Sequence, residues 1–355
     1  MKVWRAFWHG FVTPSPLALG LMLLSFALTA WVAIVTPTAD RIAGSWGRYL
    51  PRAADDNQAF VTREALQLAQ PPAADDQLPR LAVMGSSISA QAFASEPDMA
   101  AAMRKATGKD WRVSLLTTPL QGTVDEAALA DHASRGRKGV VVLPVGFARF
   151  GAPASEYVET GKMERLGIRS DWADAQMRMM GAEPRKPTGN YAIDNRNFLF
   201  RNADALLVNW LTGTVPERRV DAYLFVNRPH DTQRKEMLRF LERSGKPDPL
   251  ATRLLGDIVR RLKARGSQVL IFEEPVNPVL LAKPEHSALY AAHLVRSAKV
   301  AAAVGADYCI TPPAMRPTIA EYGDFDHVGA PAARARLRDA LAACVARLAA
   351  KGEPQ

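Results

Sequence analysis

Short apolar runs alternate with amphipathic stretches along most of this chain. The runs have the length of buried strands and are followed by helical periodicity. The predicted strands are Arg80–Met84, Gly139–Val145, Gln268–Phe272 and Asp307–Thr311, and the main predicted helices are Ile88–Lys105 (broken or kinked at Pro97), Leu250–Arg265, Tyr290–Val304 and Ala332–Ala350. This alternation predicts an α/β domain, a three-layer sandwich in which a parallel sheet is flanked by helices. In such folds we expect functional residues at the carboxyl ends of the strands.

The N-terminal region has a different pattern. Leu17–Val35 is nineteen residues without a charge, which is enough for one membrane crossing. Lys2 and Arg5 precede it, and the first acidic residue is Asp40. A cleaved signal peptide is the alternative, but signal peptides have shorter apolar regions and small residues at the cleavage site. We therefore predict a short tail at 1–16 and an uncleaved transmembrane anchor at 17–35. Arg41, Arg48 and Arg52 follow the span, so the Lys/Arg count alone does not decide its orientation.

The remaining chain divides by composition. Residues 36–79 are rich in Pro, Ala and Asp, which predicts a stalk with one short helix near Gln58–Leu68. Residues 80–350 have the length of one large α/β domain. Between its strands lies a long mixed segment, 151–250, with helical patterns at Asp171–Met180, Asn202–Thr212 and Thr232–Ser244. We interpret this segment as a lid or substrate-recognition insertion.

Charge and composition exclude some classes of function. The formal net charge is +9, but no aromatic residues interleave with the basic ones as in a nucleic-acid-binding surface. Attraction to anionic lipid or an anionic glycan is one interpretation, and a merely basic, solvated surface is the other. Cys309 and Cys344 fit either one disulfide or two buried thiols. No metal-binding or dinucleotide-binding spacing appears, so we predict no metal and no cofactor.

Candidate chemistry comes from two distant segments. Ser87 follows the strand Arg80–Met84 in Gly-Ser-Ser, and Asp324 and His327 form Asp-x-x-His before the terminal helix. A serine hydroxyl needs a neighbouring base, and histidine titrates near neutrality. A carboxylate then holds the imidazole in the right tautomer. Each motif alone is weak, but their joint order predicts Ser87 as nucleophile, His327 as base and Asp324 as orienting acid.

These segments resemble the SGNH (GDSL-like) hydrolase superfamily. Gly85-Ser86-Ser87-Ile88-Ser89 is similar to its Gly-Asp-Ser block, and Asp324 to Ala330 is similar to its Asp-x-x-His-x-Gly-Ala block. Gly-Ser-Ser is closer to the membrane-anchored branch, which includes D-alanyl transfer proteins of teichoic acid synthesis and polysaccharide O-acetylation proteins. The resemblance covers about residues 80–150 and 265–350. It implies an oxyanion hole built from the N–H groups of Ser87 and Gly122.

One block departs from that family. Its third strand is usually followed by Gly-x-Asn-Asp, whose Asn completes the oxyanion hole, whereas this chain has Gly146-Phe147-Ala148-Arg149. Either the hole has two backbone donors or Arg149 or Asn195 substitutes. Arg149 is equally compatible with a surface ion pair, and Glu273 and Glu274 with either substrate binding or a solvated strand end. Losing one donor typically costs about a hundred- to a thousand-fold in rate, which favours a specialised transferase over an efficient hydrolase.

The resemblance implies a membrane-anchored enzyme of the bacterial envelope, facing the periplasm. We expect it to move an acyl group, most plausibly acetyl, onto a cell-surface polysaccharide through an acyl-serine, supplied by a multi-pass membrane acyltransferase partner. A plain esterase or deacetylase is the alternative within enzymes. A non-catalytic assembly or glycan-binding protein that retains the fold is the alternative outside them.

Overall fold

The structure is a computed structural model of the 355-residue chain. It describes residues 15–50, 58–71, 77–119, 121–135, 138–151, 166–216, 230–246 and 248–352. The predicted tail at 1–16, with Lys2 and Arg5, lies almost wholly outside the described residues.

Five parallel strands form one sheet in the order β2-β1-β3-β4-β5. They are β1 (Arg80–Gly85), β2 (Arg112–Thr117), β3 (Val140–Val145), β4 (Gln268–Glu273) and β5 (Asp307–Cys309). Leu81 pairs with Val113 of β2 on one side and Val140 of β3 on the other. The strand order reverses direction between β1 and β3, and ligand sites of open parallel sheets form at such a point, outside the carboxyl ends of the strands.

Helices precede, connect and cover the strands. They are α1 (Pro16–Val35), α2 (Ala39–Ala43), α3 (Gln58–Leu68), α4 (Ser87–Phe93), α5 (Glu96–Thr107), α6 (Thr123–Ala133), α7 (Phe147–Gly151), α8 (Asp171–Met179), α9 (Tyr191–Asp194), α10 (Arg196–Thr212), α11 (His230–Arg243), α12 (Pro249–Ala264), α13 (Pro284–Ala303) and α14 (Pro331–Gly352). Short 3₁₀ turns occur at Gly47–Tyr49, Pro278–Leu281, Pro313–Met315 and Ile319–Glu321.

The sheet is buried on both faces. Leu81 and Val83 of β1 pack into a cluster with α4, α5 and α14, whereas Ala82 and Met84 pack into a second cluster with α3, α6 and α12. Alternate side chains of a strand point to opposite faces, so one apolar strand contributes to both clusters. The predicted α/β class, with a parallel sheet flanked by helices, is confirmed.

The predicted elements match most of these bounds, with two informative differences. The predicted helix 88–105 is two helices, because α4 ends at Phe93 and α5 begins at Glu96, with Pro97 in its first turn. Proline is tolerated there because the first N–H groups of a helix have no intrahelical partner. The helices predicted at Asn202–Thr212 and Tyr290–Val304 both begin earlier, at Arg196 and Pro284.

The predicted stalk is partly folded against the domain. Helix α3 lies where a helix was expected, and Phe60, Val61 and Ala65 are buried in the cluster beneath α6. Ile42 and Leu50 are buried in the same cluster. These residues therefore belong to the core and do not form an extended connection.

The predicted transmembrane anchor is not supported. The chain does form a helix there, α1, of 20 residues with no acidic or basic residue in its terminal turns. Among the helices of the described residues, none is long and apolar enough to cross a membrane.

Cys309 at the end of β5 and Cys344 of α14 are joined by a disulfide. Their Cα atoms are 6.2 Å apart and 35 residues separate them in sequence. The bond ties the edge of the sheet to the last helix, which resolves the two alternatives left by the sequence.

Candidate active site

The turn from β1 into α4 presents a serine at the carboxyl edge of the sheet. Gly85 has a φ of 138°, which side-chain-bearing residues rarely adopt, and a Cβ there would lie 2.6 Å from Ser89 Oγ. Its N–H donates to Gln121 Oε1 at 2.7 Å, which fixes the turn against the loop after β2. Ser86 then caps α4, and Ser87 is its first residue.

Ser87 contacts a histidine that comes from the other end of the domain. His327 Nε2 lies 2.9 Å from Ser87 Oγ. His327 Nδ1 lies 2.9 Å from Asp324 Oδ2 and 3.0 Å from Oδ1. A carboxylate only accepts, so Nδ1 carries the proton, and in the neutral imidazole Nε2 accepts from the serine. The structure thus brings the three predicted residues together in one hydrogen-bonded chain.

Backbone hydrogen bonds hold the loop that carries His327. Asp324 Oδ1 accepts from the N–H of Asp326 at 3.0 Å and from that of His327 at 2.7 Å. Gly323 N–H donates to His327 O at 2.8 Å, which closes the loop on itself. The side-chain amide of Asn277, after β4, donates to Asp324 O at 3.2 Å. Asp324 therefore orients its own loop as well as the imidazole.

A second carboxylate faces the same ring nitrogen. Asp326 Oδ1 lies 2.8 Å from His327 Nδ1. The buried amide of Gln233 in α11 donates to Asp326 Oδ1, and Gln233 Oε1 accepts from Phe325 N–H at 3.2 Å. Helix α11 belongs to the segment interpreted as an insertion, so this segment contacts the loop of the candidate base directly. Sequence reasoning missed Gln233, because a lone glutamine on an amphipathic helix has no distinguishing signal.

The two carboxylates shift the titration of the site. Burial disfavours the imidazolium, but hydrogen bonds and negative charge from Asp324 and Asp326 outweigh it and raise the pKa of His327 to about 9. Burial also opposes ionisation of Asp324, yet hydrogen bonds from His327 and Asp326 lower its pKa well below the usual range. Burial raises the pKa of Asp326. The two acids that contact the same ring nitrogen therefore differ in the direction of their pKa shifts, and Asp324 is the one that stays ionised.

The predicted oxyanion donors are only partly available. Ser87 opens α4, where the N–H groups of the first turn have no intrahelical acceptor and attract negative charge. Gly122 follows Gln121, whose side chain accepts from the Gly85 N–H, and it is the N-cap residue of α6. Its N–H, however, donates to Asp125 Oδ2 at 3.3 Å as part of the cap of α6. An oxyanion there has to compete with that long bond.

Neither proposed substitute for the missing Asn is placed at the serine by its contacts. Arg149 forms a buried ion pair with Glu126, and Asn195 Nδ2 donates to Tyr191 O at 3.0 Å. Asn195 instead lines a separate cavity of about 340 Å³ beside Arg169 and Asp174. The guanidinium of Arg149 balances a buried carboxylate, which corrects the expectation of a surface ion pair and leaves its oxyanion role unsupported.

The adjacent acids at the end of β4, Glu273 and Glu274, have different surroundings. Glu273 is buried and accepts from His293 Nε2 at 2.8 Å and from Tyr308 Oη at 2.9 Å. Glu274 accepts from Ser89 Oγ at 2.5 Å. Burial, with the charges of neighbouring acids, raises the pKa of Glu274 to about 7, although the Ser89 bond opposes the shift. Glu273 is thus structural, whereas Glu274 borders a small space with Ile88 and Asp326 near the site.

Within the described residues, one group of side chains brings three potential metal-ligand atoms within 4.8 Å of one another, namely Asp324, Asp326 and His327. The hydrogen bonds from His327 Nδ1 to both carboxylates account for this closeness.

A comparison of the chain with protein-family models gives no match, and neither does a comparison with curated proteins.

Proposed function

We propose that this protein is an SGNH-like serine O-acyltransferase of the bacterial envelope that modifies a cell-surface polysaccharide. One observation carries the proposal. Ser87 Oγ, His327 and Asp324 form a continuous hydrogen-bonded chain with both ring nitrogens at 2.9–3.0 Å from their partners. These hydrogen bonds lie at the carboxyl edge of a parallel sheet, next to a helix N-terminus. Acyl transfer there has a base for the serine proton and a positive helix end that stabilises the developing negative charge.

The chemistry proceeds in two balanced halves. His327 Nε2 takes the proton of Ser87 as its Oγ attacks the acyl carbonyl of the donor. The tetrahedral oxyanion is stabilised by the first N–H groups of α4, and its collapse expels the donor's oxygen, which leaves with the proton from His327. An acceptor hydroxyl then gives its proton to His327, attacks the acyl-serine and regenerates the hydroxyl of Ser87. Asp324 stabilises the imidazolium in both halves.

The limited oxyanion hole favours transfer over hydrolysis. No Asn occurs in the residues directly after β3, Arg149 is paired with Glu126, and the Gly122 N–H donates to Asp125. Weaker stabilisation of the oxyanion slows reaction with an unpositioned water more than with an acceptor that is bound and oriented beside the acyl-serine. The glycan acceptor and the multi-pass membrane partner that supplies the donor are implied by the family resemblance alone. An esterase with the same serine is the second candidate, because the hydrogen-bonded chain serves either acceptor.

We further propose that the protein acts outside the cytoplasm and is attached to the membrane through α1. The Cys309–Cys344 disulfide supports an oxidising compartment. The uncharged sequence of α1 and its exposed apolar side chains support membrane contact.

The test is labelling with a fluorophosphonate, which reacts with an activated serine. Ser87→Ala should abolish labelling with unchanged folding, while the matched control Ser86→Ala should label like the wild type. Labelling that survives Ser87→Ala, or that depends on Ser86, contradicts the assignment. Absence of labelling in the wild-type protein, under conditions that label a serine esterase, would favour the non-catalytic alternative.

A second measurement separates transferase from esterase. Deleting the gene should lower the acyl content of a surface polymer, and a Ser87→Ala allele should not restore it. The purified protein should hydrolyse small acetyl esters slowly. Rapid ester hydrolysis together with an unchanged polymer contradicts the transferase and favours the esterase.

A further inference from the structure

Helix α10 has an unusual surface for a helix of a folded domain. It has 17 residues, of which only Phe198 is buried. Phe200 is 86% exposed, and Leu207, Trp210 and Leu211 are more than half exposed. A helix that packs on a domain normally buries its apolar stripe, and a contiguous exposed apolar patch of this kind marks an interaction surface.

The exposed side of α10 is continuous with α1. A groove of about 860 Å³ separates the two helices, and its walls are almost wholly apolar. The residues that define it are Val32 and Ile34 of α1 and Leu199, Phe200, Leu207 and Trp210 of α10. Leu28 and Trp31, one turn earlier on α1, are also more than half exposed. The two helices therefore offer one apolar surface, which we call the α1–α10 surface.

Basic side chains and aromatic rings occur on α10 and on the segment that follows α1. Arg41 donates to Thr36 O at 2.7 Å and lies 5.7 Å from the ring of Trp46, at the end of α1. Arg48 lies 4.7 Å from the ring of Tyr49. Arg196 and Arg201 of α10 are exposed, against the exposed acids Asp40 and Asp204. Among these described side chains the basic ones outnumber the acidic ones, and they lie next to Trp and Tyr, as in a protein segment at the headgroup level of an anionic membrane.

We propose that the α1–α10 surface docks on an anionic phospholipid bilayer, with α10 lying in the interface and lipid acyl chains filling the groove. Helix α10 carries the polar side chains Arg201, Asn202 and Asp204 among its exposed apolar ones, and these polar groups can stay at the headgroup level while the apolar side chains contact lipid. A helix of a membrane-protein partner is the competing occupant, but it would leave the surrounding arginines without anionic partners. The proposal rests on the membrane attachment proposed above and does not depend on the chemistry of Ser87.

Tryptophan quenching by brominated lipid tests this docking directly. The full chain, reconstituted with vesicles of phosphatidylcholine and phosphatidylglycerol brominated near the glycerol end of the acyl chains, should show bromine-dependent quenching. Trp210→Phe should lose one component of that quenching, whereas Trp111→Phe should retain it all, because Trp111 is buried in the core. In the Trp210→Phe background, Phe200→Trp should restore the lost component.

Equal quenching of the wild type and Trp210→Phe would overturn the proposal, as would failure of Phe200→Trp to restore it. Quenching at Trp210 that appears only when a membrane-protein partner is added would also overturn it, in favour of that partner. Fluorophosphonate labelling of the same vesicles keeps the two proposals separate. If Trp210 is quenched but the vesicle-bound protein is not labelled, the proposed chemistry is contradicted and the docking is not. If the protein is labelled normally but Trp210 is not quenched, the docking is contradicted and the chemistry is not.

Discussion

Two buried histidine–carboxylate pairs occur among the described residues of this domain, and they differ in how each ring meets a serine. His327 Nδ1 lies 2.9 Å from Asp324 Oδ2, and His293 Nε2 lies 2.8 Å from Glu273 Oε1 at the end of β4. The pairs are similar in distance and burial, so neither property distinguishes a catalytic base from a structural histidine.

The difference lies in what the second ring nitrogen meets. The Nε2 of His327 faces Ser87 Oγ in a half-buried turn. His293 is fully buried, its Nε2 is engaged by Glu273, and Tyr290 stacks on its ring. A general base needs a proton to abstract and a substrate path to that proton. Ser297 Oγ lies 3.4 Å from His293 Nε2, but this serine is buried and meets the same nitrogen as Glu273. Of the two pairs, only His327 contacts a half-buried serine, and it does so through the ring nitrogen opposite its acids.

The largest expected contrast follows from replacing each histidine. His327→Ala should lower kcat/KM by about 10⁴-fold or more, because the base of an acyl-serine mechanism is lost, and it should also lower stability, because Asp324 and Asp326 lose their buried partner. His293→Ala should lower the free energy of unfolding by about 2–4 kcal/mol without a comparable loss of rate, because Glu273 loses its imidazole partner and retains the hydrogen bond from Tyr308. Kinetics with an activated ester and denaturant unfolding measure the two effects. A His293→Ala protein that is stable but inactive would contradict the distinction.

The next contrast is between the two acids at His327. Asp324→Asn should cost about 10⁴-fold in rate, because the asparagine favours the wrong tautomer of the imidazole and also weakens the loop. The double variant with His327→Ala should be little worse than His327→Ala, since members of such a unit act together. Asp326→Asn should cost less than Asp324→Asn. Additive losses, or a larger effect at Asp326, would assign the orienting role elsewhere.

The pH dependence sharpens the same comparison. A raised pKa of about 9 keeps His327 protonated at neutral pH, and an imidazolium cannot accept the proton of Ser87. Activity should therefore rise with pH and level off above about 9. The stability of the fold should change in the opposite direction: the contribution of the imidazolium and its two acids is complete below about pH 6.5, the pKa of an unfolded histidine, and is lost as the pH rises through 9. Asp326→Asn should move the midpoint of the kcat/KM profile to lower pH. A midpoint that stays in place would remove Asp326 from the site's electrostatics.

The sequence predicted the members of the site better than their surroundings. Ser87 and His327 were brought together by a general rule, since the carboxyl ends of parallel strands share one edge of the sheet. The strand β2 was not assigned individually, because Arg112, Ser114 and Thr117 interrupt its apolar pattern at the edge of the sheet. The acid that Arg149 binds, Glu126, was not foreseen either, because a long-range ion pair has no local sequence pattern.

The described helix α11 shows the same limit. Gln233 and Asp326 are 93 residues apart in sequence, and their contact depends on how the segment 151–250 folds against the rest of the domain. The burial of α3 was missed for a related reason: the helix lies within a Pro/Ala/Asp-rich region, and its tertiary contacts, which have no local sequence signal, make it part of the core. Local periodicity gives the existence of a helix but not what covers it.

The smallest expected effect, and the one that most directly tests this fold-back, is at Gln233. Its side-chain N–H donates to Asp326 and its side-chain carbonyl accepts from Phe325 N–H, so Gln233→Ala removes both of these hydrogen bonds between α11 and the His327 loop. We expect a loss of roughly ten-fold in kcat with KM unchanged, because a loosened base costs rate but not binding. Gln233→Glu should be worse at high pH, because its carboxylate faces Asp326 and cannot donate. The exposed neighbour Arg234→Ala is the matched control and should behave as the wild type. If Gln233→Ala lowers stability while kcat and its pH profile stay unchanged, the contact only packs α11 and does not position His327.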